Sequence, residues 1–158
     1  MPSSGGIIAF GLCPDSYLSS AGSTEKEMKF ETYGHCFVCG KNNKGGLHLS
    51  FEIDEERKTL ETTFTPGPTF QGWDGIVHGG IISTLLDEAM AKLSYELGYN
   101  TVTASLEIRF KKPAPILQPL KVYGEITEAN KRLVRAKARV TKEDGTVLAV
   151  GTSTLLRQ

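Results

Sequence analysis

The residues of this chain best suited to chemistry lie in one short stretch, GIVHGGIISTLLDEAMAKL, which runs from Gly75 to Leu93 and places Asp87 nine positions after His78. Gly79 and Gly80 are poor helix formers set where a helix begins. The first amides of a helix have no intrahelical acceptor and carry the positive end of the macrodipole, so they suit an oxygen that gains negative charge during acyl transfer. The alternative is that the two glycines let the helix pack closely on a strand. Asp87 falls beside Ser83 and Ser94, at the border of an apolar arc through Ile82, Leu86, Ala89, Leu93 and Leu97. A carboxylate there is either a reacting group or a solvated one. His78 is either a ligand-contacting or orienting imidazole or an ordinary turn residue. Glu88 and Lys92, four apart and opposite the arc, read as a solvated pair.

Two further groups are candidates. His35-Cys36-Phe37-Val38-Cys39-Gly40 contains a C-x-x-C, and His48 follows nine residues after Cys39. Zinc would need four ligands from His35, Cys36, Cys39 and His48, but His48 sits in a strand pattern and adjacent His35 and Cys36 rarely share one ion. A turn leading into the first strand fits better, and no metal site is expected. Arg109, Lys111 and Lys112 sit at a strand end, where they either meet phosphates or form a solvated terminus. The chain has no phosphate-cradling glycine loop, no H-E-x-x-H and no G-x-S-x-G.

These residues need positioning. Leu47, Leu49, Phe51 and Ile53 alternate with polar residues as in a half-buried strand, and Leu60–Thr65 follows across a turn, ending at Pro66-Gly67-Pro68. The helix begins after His78 and stops at Gly98. Val102, Ala104, Leu106, Ile108 and Phe110 then alternate against Thr103, Ser105, Glu107 and Arg109. Three further strands follow, at 120–126, 133–140 and 147–155, the last two joined at Glu143-Asp144-Gly145. One helix among antiparallel strands is an α+β arrangement. Residues 1–34, rich in Ser and Gly, read as a flexible tail, and 35–158 as one domain.

Lys plus Arg and Asp plus Glu number 18 each, so no global field draws the chain to nucleic acid or anionic lipid. The apolar run from Ile7 to Leu12 is too short to span a bilayer, and no basic residue precedes it as in a signal peptide. Three cysteines make no disulfide framework. A cytoplasmic protein with no membrane segment is expected.

His78-Gly79-Gly80 with Asp87 on the single long helix resembles the hotdog-fold acyl-CoA thioesterases of the phenylacetate-degradation type. Gln71-Gly72, Gly75-Ile76-Val77-His78, Thr103-Ala104-Ser105 and Arg109-Phe110-Lys111-Lys112-Pro113 are similar to the branch that includes the vertebrate thioesterase superfamily members. The resemblance covers about Cys36 to Leu155. It implies an antiparallel sheet wrapped around a central helix and hydrolysis of an acyl-CoA, with no cofactor beyond the coenzyme A of the substrate. Asp87 would then be nucleophile or general base, the Gly79 amide, with that of Gly80, the oxyanion donor, and His78 a group fixing the carbonyl or the loop. Thr103 would orient the attacking water, although strict alternation turns it from the face of Val102 and Ala104. Gly72 stands where some relatives have an Asn, six residues before the His, and the adjacent Gln71 would take that role. The resemblance further implies a homodimer or dimer of dimers, with the aspartate of one subunit facing the glycine amides of the other. Leu85, Leu86, Met90 and Phe70 are the expected walls of the acyl pocket. A hotdog hydratase or dehydratase lacks the H-G-G start, and a non-catalytic acyl-CoA sensor needs no carboxylate at Asp87.

Overall fold

A computed structural model describes residues 34–158. The expected tail, apart from Gly34, and Cys13 lie outside the described residues. The element order is β1 (Glu52–Asp54), β2 (Thr59–Phe64), a 3-10 turn (Pro68–Phe70), β3 (Gln71–Trp73), β4 (Ile76–Val77), α1 (Gly79–Glu96), β5 (Thr101–Phe110), β6 (Leu120–Ala129), β7 (Leu133–Lys142) and β8 (Val147–Arg157). Six strands form one antiparallel sheet in the order β1-β2-β6-β7-β8-β5, and β3 pairs with β4 alone. This is the α+β hotdog arrangement. Among the described residues no helix is long and apolar enough to cross a membrane.

The period of two in the sequence becomes a one-sided sheet. Val134, Ala136, Ala138 and Val140 of β7 are buried while Arg135, Lys137 and Arg139 are exposed. Helix α1 lies on the buried face, chiefly against β6 and β7. It turns Ile82, Leu85, Leu86, Ala89, Met90, Leu93 and Ser94 inward. Burying each of its large apolar side chains stabilises the fold by roughly 1.5–3 kcal/mol. The helix comes closest to the sheet at Gly124, where a Cβ would lie 3.0 Å from the Ala89 carbonyl oxygen.

His78 starts the helix. Its backbone is extended (φ −59°, ψ 134°) and its Nδ1 accepts a hydrogen bond from the Gly80 amide at 2.9 Å, so the imidazole takes the place usually held by a Ser or Asn cap. An accepting Nδ1 carries no proton, which makes this the neutral ring. Gly98, at φ +78°, ends the helix in the left-handed region.

Two sequence expectations change. Of the strand expected from Leu47 to Ile53, only its end pairs as β1. His48 has φ +52°, which bends the chain, and the Leu47 and Leu49 amides bond back to the carbonyls of Phe37 and Val38. The strict alternation expected along β5 is broken too. Thr103 pairs with Leu155 and Ser105 with Thr154, so Ala104 is an extra residue in a bulge. Before the bulge Thr103 faces the helix, and after it Leu106, Ile108 and Phe110 do, opposite Ser153, Gly151 and Ala149. The short β3, β4 and the 3-10 turn were not anticipated at all.

Two stability outcomes follow from this packing. Gly124→Val overpacks the helix–sheet contact and should cost about 1–3 kcal/mol, read as a lower denaturation midpoint with unchanged slope. His78→Ala removes the helix cap and should cost about 1 kcal/mol, while His78→Asn, a good cap, should recover most of it.

Candidate active site

Helix α1 and strand β5 bring the first pair of groups together. Thr103 Oγ1 donates to Asp87 Oδ1 at 3.0 Å, and no described residue donates to Oδ2. Asp87 is half-buried at the rim of the helix–sheet contact, with one oxygen fixed and the other open to a ligand or water. The bulge at Ala104 makes this contact possible, because it turns Thr103 onto the helix face.

At the start of the same helix the two glycines differ. The Gly80 amide is taken by His78 Nδ1, whereas the Gly79 amide donates to no acceptor among the described residues. Gly79 is therefore the open donor, with the macrodipole behind it. His78 acts on this geometry through its cap. Gly72 lies under the imidazole, where a Cβ would sit 3.1 Å from both His78 Cα and Cδ2, and Gln71 Oε1 accepts from the Gly75 amide at 3.3 Å. Gln71 and Gly72 thus shape the loop that delivers His78.

A cleft of about 450 Å³ opens beside Gly79, walled by Trp73, Ile76, Ile82, Phe110, Ala114 and Ala149. Trp73 and Phe110 are 79% and 55% exposed, so much of this apolar surface faces outward. The residues expected to wall an acyl pocket do not line this cleft: Leu85, Leu86 and Met90 are at most 1% exposed and belong to the core, and Phe70 packs edge-on against Phe64. Lys111 and Lys112 line the same cleft. Arg109 does not join them, since it lies on the other face of β5 and is held by Glu107 at 2.8 and 2.9 Å. Trp73, two residues before the Gly75 turn, is the cleft residue that sequence reasoning passed over.

A second cluster lies on another face of α1. Glu88 and Lys92 do not pair as expected. Lys92 Nζ bonds Glu96 at 2.6 Å, and Glu88 instead accepts from the Cys36 thiol at 3.7 and 3.9 Å. Burial, with Glu88 and Cys36 nearby, pushes the Cys39 thiol up to about 12. Of the four residues weighed for zinc, only Cys36 and Cys39 converge, and the third group beside them is Glu88.

The Thioesterase superfamily profile matches residues 74–149. The chain is 28% identical over 137 residues to the acyl-coenzyme A thioesterase THEM4 of Bos taurus, covering 77% of this chain and 56% of that one. It is 31% identical over 116 residues to THEM5 of Mus musculus, covering 72% and 46%. The chain thus spans about half the length of the curated relatives it matches. A thioesterase superfamily protein of known crystal structure superposes with TM-score 0.73 at 26% identity, covering 79% of this chain and 61% of that one. The E. coli PaaI protein of the phenylacetic acid degradation operon gives 0.66 at 18%, covering 71% and 80%. A Streptococcus pneumoniae thioesterase crystallised with coenzyme A gives 0.63 at 22%, covering 69% and 86%. Alanine variants of an aspartate and of a threonine sixteen positions apart have been crystallised for a Streptococcus pneumoniae thioesterase as well. With this profile match, these relatives and the single helix packed on an antiparallel sheet, the chain carries a hotdog domain of the thioesterase superfamily.

Proposed function

We propose that the protein is an acyl-CoA thioesterase whose reactive site is completed by a second copy of the chain. The observation that carries this reading is that one helix holds both an oriented carboxylate, Asp87 with its Thr103 bond, and an open amide donor at Gly79. They stand eight residues apart, about 12 Å along the axis at 1.5 Å per residue. A carboxylate acting on a carbonyl carbon and a donor holding its oxygen must lie within a few ångströms of one another, so one copy supplies Asp87 and another supplies Gly79.

Strand β5 offers the means of assembly. It ends the sheet with ten residues and one unpaired edge, and Leu106 and Phe110 on it are exposed. A long edge with apolar side chains is a surface for pairing with another chain. An antiparallel homodimer through β5 places two α1 helices side by side in opposite directions.

In this site Asp87 either attacks the thioester carbon itself or takes a proton from the attacking water, with Thr103 holding the carboxylate. The carbonyl electrons move onto oxygen, where the Gly79 amide receives the charge. Collapse reforms the carbonyl and breaks the carbon–sulfur bond. The coenzyme A thiolate leaves and takes up a proton; the water route gives the free acid directly, whereas direct attack leaves an acyl–Asp87 anhydride that a water molecule then cleaves to the free acid and the Asp87 carboxylate. The acyl group fits the apolar cleft of Trp73, Ile82 and Phe110, with Lys111 and Lys112 at hand for phosphate charge. The coenzyme A bound by the Streptococcus pneumoniae protein supports the substrate class. The spacing of the two substituted positions in that organism's thioesterase equals the sixteen residues between Asp87 and Thr103, which supports the pair.

Free-thiol release from short, long and aromatic acyl-CoAs tests the reading. Asp87→Asn should lower kcat by about a thousandfold or more with the fold intact. Gly79→Pro removes the amide donor at a position that suits Pro, the first of the helix after the extended backbone of His78, with its Cβ at contact distance, 3.4 Å, from the Phe110 ring; turnover should drop about 10²–10³-fold. Neither variant alone is active, but a dimer of the two has one site with both groups intact, so refolding them together should restore about a quarter of wild-type activity. No thiol release from any substrate would sink the activity, and no recovery on mixing would sink the shared site.

A further inference from the structure

The cluster of Cys36, Cys39 and Glu88 takes no part in the proposed thioester chemistry. Successive helix residues point about 100° apart, so Glu88 leaves α1 in a different direction from Asp87. The ligand-capable atoms of the three residues all lie within 4.8 Å of one another, and all three side chains are half-buried. Glu88 stands 52 residues along the chain from Cys36, so this convergence is made by the tertiary fold.

The turn that carries the cysteines is built toward sulfur. The Val38 amide donates to Cys36 Sγ at 3.3 Å, and the Gly40 amide donates to the Cys36 carbonyl at 2.9 Å. A Cβ on Gly40 would lie 2.4 Å from Cys36 N and 2.5 Å from the carbonyl oxygens of Cys36 and Gly34, so only glycine closes the turn.

We propose that Cys36, Cys39 and Glu88 bind one zinc ion that ties the entry segment to the back of α1, with water as the fourth ligand. Zinc–sulfur distances of about 2.3 Å and zinc–oxygen distances of about 2.0–2.2 Å set neighbouring ligand atoms about 3.6–3.8 Å apart in a tetrahedron. Cys36 Sγ already stands 3.7 and 3.9 Å from the two Glu88 oxygens. Thiolates with one carboxylate select zinc over magnesium or calcium, which prefer all-oxygen sites. Lys92, the cation on the next turn, is committed to Glu96 and bonds neither Glu88 nor the sulfurs. His35 and His48 are not ligands in this arrangement.

The test uses the full chain, purified and reconstituted with zinc under reducing conditions, then desalted. Elemental analysis should find one zinc per chain. Titration with cobalt should give the near-ultraviolet thiolate-to-metal band and tetrahedral visible bands. Chelation should lower Tm by about 5 °C or more. Cys36→Ser/Cys39→Ser should lose the metal and the cobalt spectrum, and Glu88→Gln, which keeps the side-chain volume, should weaken binding while circular dichroism and gel filtration stay unchanged. Zinc content equal in wild type and the double variant would overturn the proposal. So would a cobalt spectrum without a thiolate band, or a Cys36–Cys39 disulfide that persists under reducing conditions.

Discussion

The pitch of α1 is the constraint on which the rest of this molecule turns. A helix advances about 1.5 Å per residue and cannot be compressed, so Asp87 and Gly79 stay about 12 Å apart whatever the loops around them do. A thioester carbonyl spans only about 1.2 Å from carbon to oxygen. In the proposed shared site, the two groups serve one carbonyl when a second helix runs beside the first in the opposite direction. The proposed dimer would have its two-fold axis near Ser83, midway between them, which sets the Asp87 of one copy at the level of Gly79 of the other. Ser83 itself is turned inward to its own helix, with its hydroxyl donating to the Gly79 carbonyl at 2.9 Å.

The sheet is arranged around the same need. Its order ends on β5, the strand that reaches Asp87 through Thr103 and Gly79 through Phe110, where a glycine Cβ would lie 3.4 Å from the ring. A strand that ended in charged, inward-turned residues would protect that edge. Here the edge instead carries Leu106 and Phe110 uncovered, and Trp73 stands exposed beside the cleft. In the proposed dimer this apolar surface, next to the helix start, is the face that the second copy covers.

How much of this was legible in the sequence depends on whether the information was local. The helix and its ends were readable because periodicity, Gly79-Gly80 and Gly98 are local signals, and the strands 120–129, 133–142 and 147–157 were readable in outline from alternation. Asp87 was singled out because a carboxylate at the edge of an apolar arc is a local contradiction. The bulge at Ala104 was not readable, since an alanine carries no turn chemistry and the strand would also have paired without it; the resemblance pointed to Thr103 while alternation argued against it. His78 was noticed, but its role as the acceptor for Gly80 depends on one side-chain rotation that spacing does not encode. Glu88 was read as solvated because the residues that face it come from a turn 52 positions earlier. The core positions of Leu85 and Met90 were missed for a similar reason: the buried arc of α1 is wider than the stripe drawn from the sequence, because the sheet curves around the helix.

Asp87 and Glu88 are neighbours on one rigid rod, and that adjacency couples two regions of the protein. A rotation of α1 about its axis would move Asp87 relative to Thr103 and Glu88 relative to the Cys36–Cys39 turn at the same time. The close approach at Gly124 limits translation toward the sheet, and the His78 cap fixes where the helix begins. Contacts on different sides of the helix therefore determine its rotation more tightly than either could alone. A carboxylate that must meet a donor supplied by another copy needs its position fixed before the copies meet, because disorder in a reacting group is disorder in the geometry of attack. The turn at 36–40, distant in sequence from Asp87, thereby holds the helix that carries it, through the contact of Cys36 with Glu88.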